Sequence, residues 1–232
     1  MKLAIMQPYF LPYIGYFQLL RAVDRFVIYD DVNYIKGGWI NRNRILVNGQ
    51  SHLISIPLLK ASPYKKINEH FVSPKTVWKR KMIDTIRFSY KKAPYYEEVF
   101  PFFEALINQH CESLVDYLSH SIMTIADKLG IDTRIVESSK IYENSHLSGQ
   151  DRVIDICQKE QCDMYINPIG GEALYSKSDF QQNDVILKFH KSKEITYPQF
   201  GDPHIPFLSI VDVMMFNSPD QIDKLLLAYD LL

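Results

Sequence analysis

The chain reads as an α/β protein, an open, mainly parallel sheet with an inserted helical subdomain. Three observations predict it. Short apolar runs alternate with amphipathic helical stretches at both ends of the chain. Residues 3–45 lay out strand, loop, helix and strand, the opening of an open α/β sheet. The middle is helical throughout. The 232 residues are read as a single α/β domain with the helical insertion at about 74–130.

Leu3-Ala4-Ile5-Met6 forms the first strand and stops at Gln7-Pro8. Residues 1–8 are expected to run buried and parallel to a second strand at 25–29, whose apolar run is continuous rather than alternating. Between them Ile14, Phe17, Leu20 and Val23 share a helix face, within a helix over 13–23. Residues 39–46 alternate with period two. Trp39, Asn41, Asn43 and Ile45 fall on one face and Ile40, Arg42, Arg44 and Leu46 on the other. Asn48-Gly49 is a hairpin signal, and 52–58 is the return strand. An irregular loop over 59–74 follows. The spacing then predicts helices over 75–91, around 99–107 and over 114–129, the last closed by Gly130. Strands at 133–137, 162–167 and 186–189, and helices at 150–160 and 220–231, complete the reading.

Composition narrows the function classes. A formal net charge of -1 leaves no basic field for nucleic acid. No stretch of about eighteen apolar residues exists, so no membrane span is expected, and the N-terminus does not read as a secretory signal. Cys111, Cys157 and Cys162 are odd in number and lack a C-x-x-C pair, which fits a cytoplasmic setting. His52, His70, His190 and His204 lack metal-ligand spacing, so no metal site is assigned to them.

The polar residues gather where a ligand would sit, beyond the carboxyl ends of the strands. Asp30 and Asp31 close the second strand. In extended chain they point to opposite sides, so at most one faces a pocket, where it could take a proton from an amine, bind ribose or hold magnesium. The alternative is that one caps the next turn. Lys36 is grouped with them as catalytic. Arg42 and Arg44 share a strand face and could grip phosphate or carboxylate, unless they are a solvated face. Gln7, Tyr34, Trp39 and Asn41 are read as pocket lining. Gly170-Gly171 follows Asn167-Pro168-Ile169 and permits backbone approach to a ligand, or is an ordinary turn. Arg152 opens a helix after Ser148-Gly149 and is a candidate anion contact. Gln7, one of Asp30 and Asp31, and Asn167 are expected around one cleft.

Several long stretches resemble the WbqC-like family. They are Gln7 to Leu19 (QPYFLPYIGYFQL), Tyr29-Asp30-Asp31-Val32, Trp39-Ile40-Asn41-Arg42-Asn43, Tyr165 to Gly171 (YINPIGG) with Leu174-Tyr175, and Leu208 to Asp212 (LSIVD) with Met215-Phe216. The likeness covers nearly the whole chain. It implies a place among bacterial gene sets for surface polysaccharides, some built from N-acylated amino sugars. Tyr13-Ile14-Gly15-Tyr16 also stands where HIGH-type nucleotidyl transferases, with a Rossmann-like fold, carry H-x-G-H. There Gly15 would let a base lie against the backbone, or simply allow close helix–strand packing, while Tyr13 and Tyr16 replace both histidines. A neutral phenol lacks the charge of a protonated imidazole.

The resemblance implies the pathway, O-antigen or capsule synthesis, and with the α/β pocket and the paired arginines the leading expectation is a transferase or ligase that places a small acyl or aminoacyl group on the amine of a nucleotide-linked amino sugar. If ATP is used, with magnesium, the carboxylate donor is activated as its adenylate. A pre-activated donor would satisfy the same residues. A non-catalytic accessory protein that binds a nucleotide sugar is the rival reading. A glycosyltransferase ranks below both, since no D-x-D is present.

Overall fold

The computed structural model describes residues 1–201 and 203–232. Along the chain it places β1 (Lys2–Met6), α1 (Ile14–Arg21), β2 (Arg25–Ile28), β3 (Arg42–Val47) and β4 (Gln50–Ser55). The helical insertion follows as α2 (Val77–Tyr90), α3 (Tyr96–Asn108) and α4 (Leu114–Lys128). Then come β5 (Arg134–Val136), α5 (Gly149–Lys159), β6 (Met164–Pro168), α6 (Lys177–Gln182) and β7 (Ile186–Ser192). The chain closes with α7 (Ile210–Phe216), α8 (Pro219–Leu226) and β8 (Tyr229–Leu231).

The main sheet runs β5-β2-β1-β6-β7-β8. Every neighbouring pair is parallel except β7 with β8. Counted along the chain, its strands stand in the order 3-2-1-4-5-6, that of the Rossmann fold. The chain works outward from β1 to β2 and β5, then returns to lay β6 on the other side. The direction reverses between β1 and β6, and ligands of such sheets bind outside the carboxyl ends at that point.

Period-two alternation sorts the strands onto two apolar layers. Leu3, Ile5, Val27, Tyr165, Leu187 and Phe189 face one layer, with Val153, Ile156 and Phe180 from the helices. Ala4, Phe26, Ile28 and Ile166 face the other. That second layer also takes in Phe17 of α1, Met215 of α7 and the insertion's Ile86, Phe103, Leu118 and Ile122. The insertion is therefore packed into the same core as the sheet.

β3 and β4 form a separate two-stranded sheet closed by Asn48 and Gly49, whose φ values of 50° and 73° are those of a type I′ turn. β3 begins only at Arg42, later than the alternation suggested. The Trp39 carbonyl accepts the Phe10 N–H instead, at 3.2 Å.

One other expectation needs correction, and one helix was not expected. The single terminal helix expected over 220–231 stops at Leu226, and Tyr229–Leu231 turns back as β8 to cover the edge of β7. An open strand edge offers unpaired N–H and C=O groups, and β8 pairs with the stretch from His190 to Ser192. α7 was unforeseen because all of Ile210 to Phe216 is buried, so the segment has no polar face to mark a helix. Among the described residues no helix is long and apolar enough to cross a membrane.

Candidate functional site

The sheet register brings Gln7, Asp30, Asp31 and Asn167 to one edge. Met6 pairs with Ile28, and the Tyr29 N–H reaches the Met6 carbonyl at 2.8 Å. Val27 pairs with Val136, so Glu137-Ser138-Ser139 falls beside Tyr29-Asp30-Asp31. A cleft of about 840 Å³ opens at this end of β2 and β5. Asp30, Asp31, Glu69, Asp116, Glu137 and Glu143 line it, against Lys66 and Lys140. Gln7 and Asn167 stand at the same sheet edge but outside this lining.

Both aspartates line the cleft, whereas alternation allowed one. The strand ends at Ile28 and the chain bends, so strict alternation no longer applies at Asp30 and Asp31. Both are buried. Asp30 accepts from the Ser138 hydroxyl at 2.8 Å, the Ser139 N–H at 2.9 Å and the Asn68 amide at 3.2 Å. No cationic side chain pairs with it among the described residues. Asp31 is different. Arg152 Nη2 donates to both of its oxygens at 2.6 Å, and the Ser139 hydroxyl donates to it as well. Burial alone would raise the Asp31 carboxyl, but the Ser139 and Arg152 hydrogen bonds outweigh it and hold the group below its ordinary value.

Arg152 is thus engaged within the chain. Its Nε donates to Asn144 Oδ1 at 2.9 Å, and its guanidinium lies 4.9 Å from the centre of the Tyr29 ring. In place of an outside anion it meets Asp31, and it ties the start of α5 to the end of β2.

Arg42 and Arg44 occupy one strand face, but they differ. Arg42 donates from Nε to the Gly38 carbonyl at 2.9 Å and from Nη2 to the Gly37 carbonyl, which fastens the Lys36-Gly37-Gly38 loop. Arg44 is exposed and has no ion pair among the described residues. Both guanidinium groups approach the Trp39 ring, at 6.0 and 5.3 Å. Trp39 therefore shares the arginines' side, not that of Asn41, because it precedes the strand. Lys36 is exposed. Asn41 accepts from the Tyr34 hydroxyl and donates to the Ile56 carbonyl, each at 2.7 Å. These bonds join the hairpin to buried Tyr34.

At α1, Tyr13 forms the N-cap position without a side-chain cap bond. A Cβ on Gly15 would lie 2.2 Å from the Tyr13 ring, so the glycine makes room for that ring over the first helical turn. This is a different close approach from the helix–strand contact considered above. Tyr16 is buried, its hydroxyl donates to the Gln7 carbonyl at 3.2 Å, and burial pushes its phenol well above the ordinary value. Near the end of β6, Asn167 accepts from the Tyr165 hydroxyl at 3.0 Å. A Cβ on Gly171 would come within 2.3 Å of the Asn167 amide nitrogen, while Gly170 faces open space. Gly171 is thus required by the turn's own packing.

A second cleft, of about 550 Å³, lies at the end of β7 and includes Tyr13, Lys193, Tyr197, His204 and Phe207 in its walls. Buried Asp212 stands behind it. It accepts from Tyr90 at 2.8 Å and from Tyr197 and Gln199 at 2.7 Å each, and burial raises its carboxyl despite these donors.

Ser138, Ser139, Asn68, Lys66 and Ser119 were not foreseen. They are single polar residues without motif spacing. Ser138-Ser139 had one available signal, its place just after an expected parallel strand. The Ser119 hydroxyl is buried, lines the acidic cleft and has no hydrogen-bond partner among the described residues.

The profile of the WbqC-like protein family matches residues 7–224. The chain is also similar to the uncharacterized protein Rv1507c of Mycobacterium tuberculosis, 27% identical over 220 residues that cover 93% of each chain. No solved structure matches it.

Proposed function

The chain belongs to the WbqC-like protein family, and from that premise we propose that it is a transferase or ligase acting on a nucleotide-linked amino sugar. It places a small acyl or aminoacyl group on the sugar amine during synthesis of bacterial surface polysaccharide. A cytoplasmic setting is part of this reading. What supports it is the acidic cleft at the sheet's carboxyl edge, with Asp30 and Asp31 in its wall. An amino sugar carries an ammonium and several hydroxyls at neutral pH. Carboxylates accept hydrogen bonds from both, and the volume lies within the range of small-molecule sites.

The two aspartates divide the work. Asp31, neutralised by Arg152, holds the wall in place. Asp30, oriented by Ser138, Ser139 and Asn68 and without a cationic partner among the described residues, receives the proton of the ammonium. The freed amine attacks the carbonyl carbon of an activated acyl donor. The C–N bond forms, and the bond from that carbon to the leaving group, a thiolate or a phosphate, breaks. If the donor is activated with ATP, magnesium would come with the nucleotide and offset the charge of its phosphates.

The test is mass spectrometry of a panel of nucleotide amino sugars incubated with the protein, acetate or glycine, and ATP, or with acyl-CoA. A mass gain on the sugar that needs folded protein supports the reading. Binding without turnover across the panel would instead identify a non-catalytic nucleotide-sugar-binding protein.

A further inference from the structure

The acyl-transfer reading occupies the acidic cleft and leaves the second cleft, across the switch point at the carboxyl end of β7, without a role. Its walls are aromatic. Tyr197 and His204 meet edge-on at 4.8 Å, and Tyr13 and Phe207 at 6.2 Å. Phe207 is 76% exposed, and its φ of 56° lies in the left-handed region, a strained conformation for a bulky residue. Strain of this kind persists where the surroundings hold it, and it gathers at ligand-binding positions.

The surroundings here are identifiable. Asp212 is fully buried and takes hydrogen bonds from Tyr197 and Gln199. Gln199 accepts in turn from the Ile205 N–H at 2.8 Å. The His204 ring lies 3.2 Å from the Tyr197 carbonyl. The segment carrying three of the cleft's rings is therefore pinned from behind before any ligand arrives.

Charge separates the two clefts. The acidic one presents Asp30, Asp31, Glu69, Asp116, Glu137 and Glu143 against two lysines and would repel a polyphosphate. The aromatic one sets Glu194 against Lys193 and His204. Lys193 is exposed, 3.2 Å from the equally exposed Asp230, a pairing that a phosphate can displace. The Arg44 carbonyl accepts the Ser209 N–H at 2.8 Å, which sets the β3 backbone beside the chain two residues beyond Phe207, and the Arg44 side chain is exposed, with its guanidinium 5.3 Å from the Trp39 ring.

We infer that the aromatic cleft is a nucleoside-phosphate site, in which Tyr13, His204 and Phe207 hold the planar base and Lys193, with Arg44 at its flank, meets phosphate oxygens. The inference rests on the reading that the substrate or the activating reagent is a nucleotide. Base stacking on aromatic rings is tolerant of base identity, so the nucleotide is either that of the sugar or ATP.

The experiment is isothermal titration of the full chain with uridine, thymidine, guanosine and cytidine diphosphates, with ATP, and with inorganic diphosphate. At least one nucleotide is expected to bind, with inorganic diphosphate at least about tenfold weaker, since it lacks a base to stack. Phe207→Ala, at a solvent-facing ring, should weaken nucleotide binding by about tenfold. Lys193→Ala should weaken nucleotide and inorganic diphosphate alike. Preference for ATP would place the activating reagent here, and preference for another nucleotide would place the sugar's own. Either preference supports the site if Phe207→Ala removes it. Absence of nucleotide binding, or binding indifferent to both Phe207→Ala and Lys193→Ala in folded protein, overturns the site even if sugar acylation persists. Nucleotide binding that Phe207→Ala weakens, with no acylation under any donor, keeps the site and overturns the acyl-transfer reading.

Discussion

One guanidinium nitrogen of Arg152 sits 2.6 Å from each carboxylate oxygen of Asp31, and both side chains are buried. The two residues lie 121 apart in the chain, and their pair joins the end of β2 to the start of α5. Removing one partner would leave a buried charge without compensation. Arg152→Ala should therefore destabilise the protein by about 3–5 kcal/mol, measured by urea unfolding. The acid response follows from the same pair. The folded carboxyl lies below its ordinary value of 3.8, so its contribution is complete above that pH and is lost as pH falls through the folded value. A double variant, Asp31→Leu with Arg152→Leu, should lose less stability below pH ~4 than the parent. Equal acid sensitivity would show that the pair is not the source.

Asp30 and Asp31 should part company in function. Asp30→Asn keeps an oxygen for the Ser139 N–H but removes the proton acceptor. It should leave the fold intact by circular dichroism and reduce sugar acylation by about 10²–10⁴-fold, the span typical of a lost general base. Turnover within a factor of two of the parent would exclude Asp30 from that role.

Arg42 and Arg44 should separate into a structural and a binding residue. Arg42 fastens Gly37 and Gly38, so Arg42→Ala should cost about 1–3 kcal/mol and increase proteolysis of the loop around Gly37. Arg44 is exposed and has no ion pair among the described residues, so Arg44→Ala should change stability by no more than about 0.5 kcal/mol. It should still weaken nucleotide binding several-fold. If both variants have the same effect on stability and on binding, the distinction drawn from their contacts fails.

Burial pushes the His190 imidazole down to about 4 from 6.5. Its Nε2 has no hydrogen-bond partner among the described residues, and its ring packs 4.8 Å from that of Tyr229 on β8. The folded state holds His190 neutral while the unfolded chain binds a proton below 6.5, so stability falls as pH drops from 6.5 towards 4. His190→Phe removes both the orphan nitrogen and the proton linkage. It should be more stable than the parent by about 1 kcal/mol at pH 7, with the margin widening at pH 5, measured by denaturant midpoints. A margin that narrows on acidification would contradict this assignment.

Much of the fold was legible because secondary structure leaves a local periodicity. The alternation of apolar runs and amphipathic stretches placed β1, α1, β2, the hairpin, the insertion and α5 near their observed positions. Asn48-Gly49 marked its turn because only certain residues accept positive φ at both central positions. α7 and β8 escaped for opposite reasons. α7 is buried on every side and has no periodic face, while β8 is three residues long and owes its form to the β7 edge.

The sequence by itself placed Gln7, Asp30, Asp31 and Asn167 at the carboxyl edge, since each ends or follows a recognisable strand, while Ser138 and Ser139 escaped it, and its long motifs identified the family. The tertiary structure alone decided what each of them touches. Arg152 meets Asp31, Arg42 meets its own loop, Asn41 joins Tyr34 to the hairpin, and Gly171 yields to Asn167. Periodicity is a property of a few neighbouring residues, whereas a hydrogen bond or ion pair depends on segments brought together by the whole core. The same Asp-Asp or Arg-x-Arg spelling is therefore compatible with an open site or with a satisfied internal contact, and burial and pairing settle which.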